Sequence, residues 1–347
     1  MFEIIDKLAK FNNIEDEELL YILNSDDKNL IEYLFLKANE IRKKIYSNKV
    51  YIRGLIEISN ICKNDCYYCG IRKSNRNIKR YRLSKEEILA CAKKGYELGF
   101  RTLVLQGGED LYFSDEILID IIKEIKNLYP NCALTLSLGE RSYESYEKLF
   151  NVGVDRYLLR HETINKCHYE KLHPNSMSYQ NRIQCLKNLK KIGYQTGCGL
   201  MVGSPYQTNE NLVEDLRFIK EFNPEMVGIG PFIPHCDTPY KNESKGDLIL
   251  TLKMLALTRL LVPEVLLPAT TALATLSPEG RKLGLNAGAN VIMPNLTPDE
   301  QEKNYRLYDN KLCEETNIEK LKKDIAEYGY EIVVSRGDNV RYSREED

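Results

Sequence analysis

The chain has 347 residues and a mass of 40.2 kDa, with 49 Lys and Arg against 51 Asp and Glu, a net charge of −2. A hydrophobic fraction of 43% supports a large core and argues against wholesale disorder, and a pI near 6.2 argues against a mainly electrostatic hold on nucleic acid. The most apolar stretch, 255–276, is broken by Arg259, Pro263, Glu264 and Pro268, so no membrane span is expected, and the charged opening does not read as a signal peptide. A cytoplasmic protein is expected, its ten cysteines reduced thiols or metal ligands rather than disulfides.

Residues 1–48 read as a helical extension. Leu19, Leu20, Ile22 and Leu23, then Leu30, Ile31, Leu34, Leu36 and Ile41, recur at helical spacing, and Asp26 and Asp27 suit a cap between helices. From residue 50, short β-rich runs alternate with amphipathic stretches. Strands are expected at 52–59, 102–106, 133–138, 156–160, 196–202, 226–230, 265–270 and 290–294. Helices are expected near 84–98, 115–128, 142–151, 178–192, 208–221, 247–262 and 277–286. Ser84, Asp115 and Ser277 are the expected caps, with Gly99, Gly153 and Gly193 near helix ends.

This alternation over 49–296 predicts an α/β fold, a complete (βα)8 TIM-type barrel, with an open doubly wound sheet as the alternative. The stretch 297–347 is expected to pack on the barrel as a C-terminal cap, with a helix at 316–328. In such a barrel the chemistry lies at the carboxyl ends of the strands.

The first strand is followed by Cys62-x3-Cys66-x2-Cys69, whereas Cys91, Cys132, Cys167, Cys185, Cys198, Cys236 and Cys313 are scattered. Three thiolates in one short loop can hold three corners of a cubane iron–sulfur cluster and leave the fourth iron open. Zinc is the rival, but a closed structural site wants four ligands, and no further Cys or His lies close in sequence.

With Tyr68 before the last cysteine, this loop resembles the signature of radical S-adenosylmethionine enzymes. The runs YIRGLIE (51–57), VLQGGED (104–110), TLSLGE (135–140), RYLLRHET (156–163), MVGIGPFIPH (226–235), PATT (268–271) and VIMPN (291–295) resemble the HydE-type maturation family of FeFe-hydrogenase. That resemblance covers about 50–313; methylornithine synthase and biotin synthase share the barrel and the cluster loop.

The resemblance implies one 4Fe-4S cluster on Cys62, Cys66 and Cys69. It implies S-adenosyl-L-methionine held by Tyr68, Gln106, Gly107, Gly108, Glu109, Thr135, Ser137, Glu162, Arg182 and Met201. Reductive cleavage of that cofactor to methionine and a 5′-deoxyadenosyl radical would follow. The radical would add to a sulfur of a cysteine-bound iron carbonyl cyanide precursor, and the cofactor would be consumed. Arg53, Arg156, Arg160, Thr270, Thr271, Tyr305 and Tyr308 then take the catalytic positions around the substrate cavity. The other reading of the three arginines is a structural ion pair with Glu57 or Glu140.

His235 reads as a satisfied loop histidine rather than a ligand. Cys313, with no cysteine after it, leaves a second cluster without ligands. The implied partners are a small-molecule or organometallic iron substrate, a flavodoxin or ferredoxin-type electron donor, and other hydrogenase maturation proteins, with no nucleic acid and no membrane. Arg72, Lys73, Arg76, Lys79, Arg80, Arg82 and Lys85 are either a solvated face or the docking patch for that acidic donor. An amino-acid mutase of the methylornithine synthase type and a non-catalytic iron–sulfur scaffold are the alternative functions.

Overall fold

Runs such as GLIEIS and QTGCGLMV, apolar or small at nearly every position, suit strands covered on both faces. The computed structural model, which describes residues 2–313 and 317–342, places both in a parallel sheet and buries every residue of each. Met1, residues 314–316 and 343–347, which belong to the expected extension, cap and cap helix, lie outside the described residues.

The strands are β1 (Lys49–Ile52), β2 (Gly54–Ser59), β3 (Thr102–Gly107), β4 (Ala133–Ser137), β5 (Arg156–Leu158), β6 (Gln195–Val202), β7 (Met226–Pro231), β8 (Val291–Ile292) and β9 (Glu331–Val333). A six-stranded parallel sheet runs β2-β3-β4-β5-β6-β7, and a three-stranded parallel sheet runs β8-β1-β9. The parallel α/β class agrees with expectation, but the strands group into two sheets rather than one of eight. The expected first strand is split at Arg53, and 265–270 forms no strand, only the bridges Met226–Leu266 and Pro268–Val291. Pro268 has no N–H for a ladder, which limits pairing there.

Most helices begin where a side chain replaces the missing backbone partner. Ser84, Ser114, Ser142, Ser178, Thr208 and Asp247 each accept from the N–H three residues on. They start the helices Lys85–Glu97, Asp115–Leu128, Tyr143–Asn151, Tyr179–Ile192, Asn209–Phe222 and Leu248–Leu261. The expected cap Asp115 is thus the first helical residue, and Ser277 ends the helix Thr271–Leu276 instead of opening the next. That short helix, with Lys166–Leu172 and Asp299–Asn304, was invisible to periodicity because it is under two turns long.

At the amino end, α1 (Phe2–Phe11), α2 (Asp16–Asn24) and α3 (Lys28–Tyr46) share one core with the strands. They cover Leu248–Leu261, a helix buried all round from Thr251 onward, which therefore needs a second cover besides the sheet. Its buried cations are satisfied locally: Lys253 Nζ donates to the carbonyls of Leu23 and Ser25, and Arg259 to those of Gly288 and Pro263. Among the described residues no helix is long and apolar enough to cross a membrane.

Beyond Thr297 the chain first crosses the carboxyl ends of the strands, where the Gly70 N–H donates to Leu307 O and the Asp309 N–H to Pro234 O. It then returns through the helix Ile318–Glu327 to the opposite end, where β9 pairs with β1. There Asn339 donates to the carbonyls of Glu225 and Glu264.

Candidate active site

The cysteine loop leaves β2 and is cinched to the end of β3. Gly108 N–H donates to Ser59 O, Lys63 N–H to Glu109 O, and Ser59 Oγ to Asp110 Oδ2 at 2.7 Å. A Cβ on Gly108 would lie 2.2 Å from Ile61 O and 2.8 Å from the Cβ of Cys62, so a glycine is what lets the strand end touch the loop. Within the loop, Asp65 accepts from Arg72 and Ser74. The Arg80 guanidinium donates to the carbonyls of Asn60, Ile71, Arg72 and Asn75. These contacts fix the loop that carries three partly buried thiols. Burial, then the neighbouring Cys69 and Cys62, push the Cys66 thiol well up, and burial with Cys62 pushes Cys69 up to about 12. Such a trio gives up its protons to a cation placed among it.

A charged rim stands beside the loop. Arg182, from the helix Tyr179–Ile192, pairs through Nε with Glu140 at 2.6 Å, and its Nη2 stands 3.8 Å from Glu109 Oε1. Glu109 folds over Gly139, where a Cβ would collide with its Cγ, and meets Lys63 Nζ at 3.1 Å. Glu162 sits in the left-handed region at φ 66°, backbone strain held by its pairing with Gly199 and Leu200. Its carboxylate pairs with Arg160 Nη2 at 3.2 Å. Tyr68 donates its hydroxyl to His173 Nε2 at 3.2 Å, and His173 Nδ1 faces Tyr169 O; burial pushes the pKa of this imidazole down to about 3 and keeps it neutral. Met201 packs with Leu172, Phe232 and Tyr240 beneath Tyr67 and Tyr68.

The structure thus brings Tyr68, Glu109, Glu162, Arg160, Arg182 and Met201 together around the cysteines. Gln106, Gly107 and Thr135 follow on β3 and β4, with Ser137 beside Gln106 in the ladder. Tyr305 is buried over the loop with Gln106 at its hydroxyl, Tyr308 meets Thr275, and Thr270 lies against Gly230. Thr271 lines a cavity of about 590 Å³ shared with Glu302 and Lys311.

Two of the expected arginines lie elsewhere. Arg156 begins β5 at the other end of the strands, paired with Asp338 and bonded to Thr102 Oγ1 and Arg336 O. Its partner is therefore neither Glu57 nor Glu140, because the returning tail delivers an aspartate that no local pattern announces. Arg53 is buried against Met226 at the start of β7, and Glu57 pairs with Lys311 instead. The basic run is mostly spent on internal contacts: Arg72 with Asp65, Lys79 with Glu300, Arg82 with Asp110, Lys85 with Asp120 and Glu124. Only Lys73 and Arg76 of that run line an open cavity of about 400 Å³ next to Lys63. Sequence reasoning missed Arg80 as the loop's brace and His173 as the partner of Tyr68; neither spacing nor composition signals them.

The donor set fits an iron–sulfur cluster with a polar ligand above it. Three partly buried thiols share one loop, and the buried Thr135 Oγ1, Thr270 Oγ1 and Arg160 Nε have no hydrogen-bond partner among the described residues. Unpartnered buried polar groups are costly and suit a site completed by a ligand.

Comparison with known proteins agrees with this geometry. Residues 56–219 match the radical SAM superfamily. The chain is 51% identical over 311 residues to the [FeFe] hydrogenase maturase subunit HydE of Thermotoga maritima, covering 90% of this chain and 88% of that protein. It is 29% identical to 3-methylornithine synthase of Methanosarcina acetivorans, over 89% of this chain and 87% of that one. Among solved structures, methylornithine synthase superposes with a TM-score of 0.85 at 27% identity, covering 95% and 97% of the two chains. The maturase HydG superposes at 0.80 with 24% identity, covering 96% of this chain and 75% of that one, a likeness of fold.

Proposed function

The chain belongs to the HydE family of radical S-adenosylmethionine enzymes, and on that footing we propose that it matures the active site of FeFe-hydrogenase. The observation that carries this reading is the cysteine trio pressed onto the Gly107–Gly108–Glu109 end of β3 inside the Arg182–Glu140–Glu109 rim. Cys62, Cys66 and Cys69 would hold a 4Fe-4S cluster whose open iron takes S-adenosylmethionine. When bound, that pair supplies one-electron cleavage of the cofactor to methionine and a 5′-deoxyadenosyl radical. The chain's own groups do the positioning. Arg182 and Glu162 offer opposite charges for the carboxylate and for the ammonium or ribose of the cofactor. Tyr68, fixed by neutral His173, and Met201 wall the cluster face and exclude water.

For the substrate we propose a cysteine-bound iron carbonyl cyanide species whose sulfur receives the radical. The unpartnered Nε of Arg160 and hydroxyl of Thr270 would bind it, with Thr271 on the wall of the neighbouring cavity and Tyr305 and Tyr308 as further polar contacts. Arg53 and Arg156, at the far end, would act on it only through the barrel floor. We further read the two sheets as arcs of one closed (βα)8 barrel over 49–296. Support comes from β1 continuing through Arg53 into β2 and from the bridges at Leu266 and Pro268. The extension 1–48 would then flank this barrel, and the segment from 297 would span both its ends. We place the protein in the cytoplasm, with an acidic flavodoxin or ferredoxin-type donor meeting the Lys73 and Arg76 face.

The test is anaerobic. Protein reconstituted with iron and sulfide, reduced and given S-adenosylmethionine should release 5′-deoxyadenosine, and Cys66→Ala should not. Added to a hydrogenase maturation mixture lacking its HydE, the protein should restore hydrogen evolution. A reducible cluster without 5′-deoxyadenosine would return the scaffold reading, and rearrangement of lysine would return the mutase reading.

A further inference from the structure

His235, Cys236 and Asp309 come from two segments that cross at the carboxyl ends of the strands, the loop after β7 and the returning tail. Their ligand atoms (one ring nitrogen, the thiol sulfur and a carboxylate oxygen) all lie within 4.8 Å of one another. Cys236 Sγ is 3.9 Å from His235 Nδ1, while the ring's other nitrogen, Nε2, is 3.9 Å from Asp309 Oδ1, so one ring nitrogen at a time is the ligand. The backbone already holds this convergence: the Asp309 N–H donates to Pro234 O, and the Cys236 N–H donates to Asp309 Oδ2 at 2.9 Å. A tetrahedral zinc site with such donors has edges of about 3.3–3.8 Å, so closing it from a spread of up to 4.8 Å requires roughly 1–1.5 Å of side-chain movement.

The residues able to move are the exposed Cys236 and the partly exposed Asp309. The histidine is the fixed member. It is 4% exposed, and a Cβ on Gly70 would lie 2.3 Å from its Cδ2, so the ring rests on the backbone just after Cys69. The contact a cation would replace is the Asp237 N–H on Nδ1 at 3.1 Å.

We propose that His235, Cys236 and Asp309 bind one borderline divalent cation of the zinc class, with water in the fourth position. The thiolate selects against magnesium and calcium, and the mixed N, S, O set suits zinc or ferrous iron. The site is separate from the three cluster cysteines and braces them. It ties the loop after β7 to the tail whose Leu307 carbonyl receives the Gly70 N–H. A bound cation therefore slows the opening of the segment that covers the cysteine loop.

Cobalt(II) is the probe, added to the cluster-reconstituted protein under argon. Wild type should bind one equivalent with a thiolate-to-cobalt charge-transfer band, and one equivalent of zinc should abolish it. Cys236→Ser should lose the band, and Asp309→Asn should weaken binding by roughly tenfold or more, as loss of a ligand does. Iron content and cluster absorption, unchanged in both variants, would show that fold and cluster survive. Hydrogen exchange of 305–309 should slow on zinc binding in wild type alone. Saturable cobalt binding that neither substitution alters, or none below millimolar cobalt in wild type, would overturn the site.

Discussion

Glu140 holds Arg182 beside Glu109: the guanidinium Nε stands 2.6 Å from the Glu140 carboxylate across 42 residues of sequence, while Nη1 donates to Arg160 O at 3.2 Å. Glu140 follows β4, Arg182 lies in the first turn of the helix Tyr179–Ile192, and the pair keeps Arg182 fully protonated beside Glu109 and Glu140. Glu140→Gln removes the charge that aims the arginine while keeping the side chain's size. It should weaken S-adenosylmethionine binding about tenfold, about 1.4 kcal/mol, with iron content unchanged. Equilibrium binding to the reconstituted protein checks this, and unaltered affinity would remove Arg182 from the cofactor site.

At the opposite end of the strands, Asp338 neutralises the buried Arg156. Breaking a buried pair by deleting one partner leaves an uncompensated charge, typically about 3–5 kcal/mol. Asp338→Ala should therefore lower the melting temperature by several degrees while 5′-deoxyadenosine formation per folded molecule stays close to wild type. Thermal denaturation run alongside turnover separates the two. Lost turnover at an unchanged melting temperature would give Arg156 a direct part in the chemistry.

Glu302 supplies a pH signature. Burial pushes its carboxyl up to about 7, with Glu57 adding to the effect and Lys311 opposing it. Between about pH 4.5 and 7 the folded chain keeps a proton that the unfolded chain has lost. Its stabilising contribution is thus complete below the lower value and falls away as pH rises through the upper one, by about 2 kcal/mol. In Glu302→Gln this part of the decline should vanish, read as a flatter plot of urea midpoint against pH. Parallel plots for the two proteins would refute the assignment.

Lys73 and Arg76 are the remaining exposed cations of the basic run facing the cavity beside the loop. Reversing both to glutamate should slow cluster reduction by an acidic flavodoxin about tenfold at low salt and flatten its ionic-strength dependence. Reduction by dithionite should be unaffected. Equal donor-driven rates would place electron delivery on another face.

The chain's own pattern carried a good deal of this. The alternation of buried strands and capped helices was legible because period and caps are local: Ser84 marks a helix start as expected, whereas Asp115 lies one residue inside its helix and Ser277 closes one. The cysteine spacing named the cluster loop for the same reason. Rim residues such as Glu109, Glu162 and Arg182 were found through resemblance, since a single carboxylate or guanidinium has no local signature.

What only the tertiary structure decided is which charges meet. Arg156 was expected at the substrate cavity, with an ion pair to Glu57 or Glu140 as the other reading, and it is paired with Asp338, 182 residues further on, because the tail returns to the strand starts. Arg80 looked like one more surface cation and is consumed by four carbonyls of the cysteine loop. His235 and Cys236 gain a third potential ligand only when Asp309 crosses over them. Hydrophobic period and turn chemistry act over a few residues and are written into the sequence. Partnership between buried charges depends on which distant segments the fold lays side by side, and a buried charge takes whichever partner arrives.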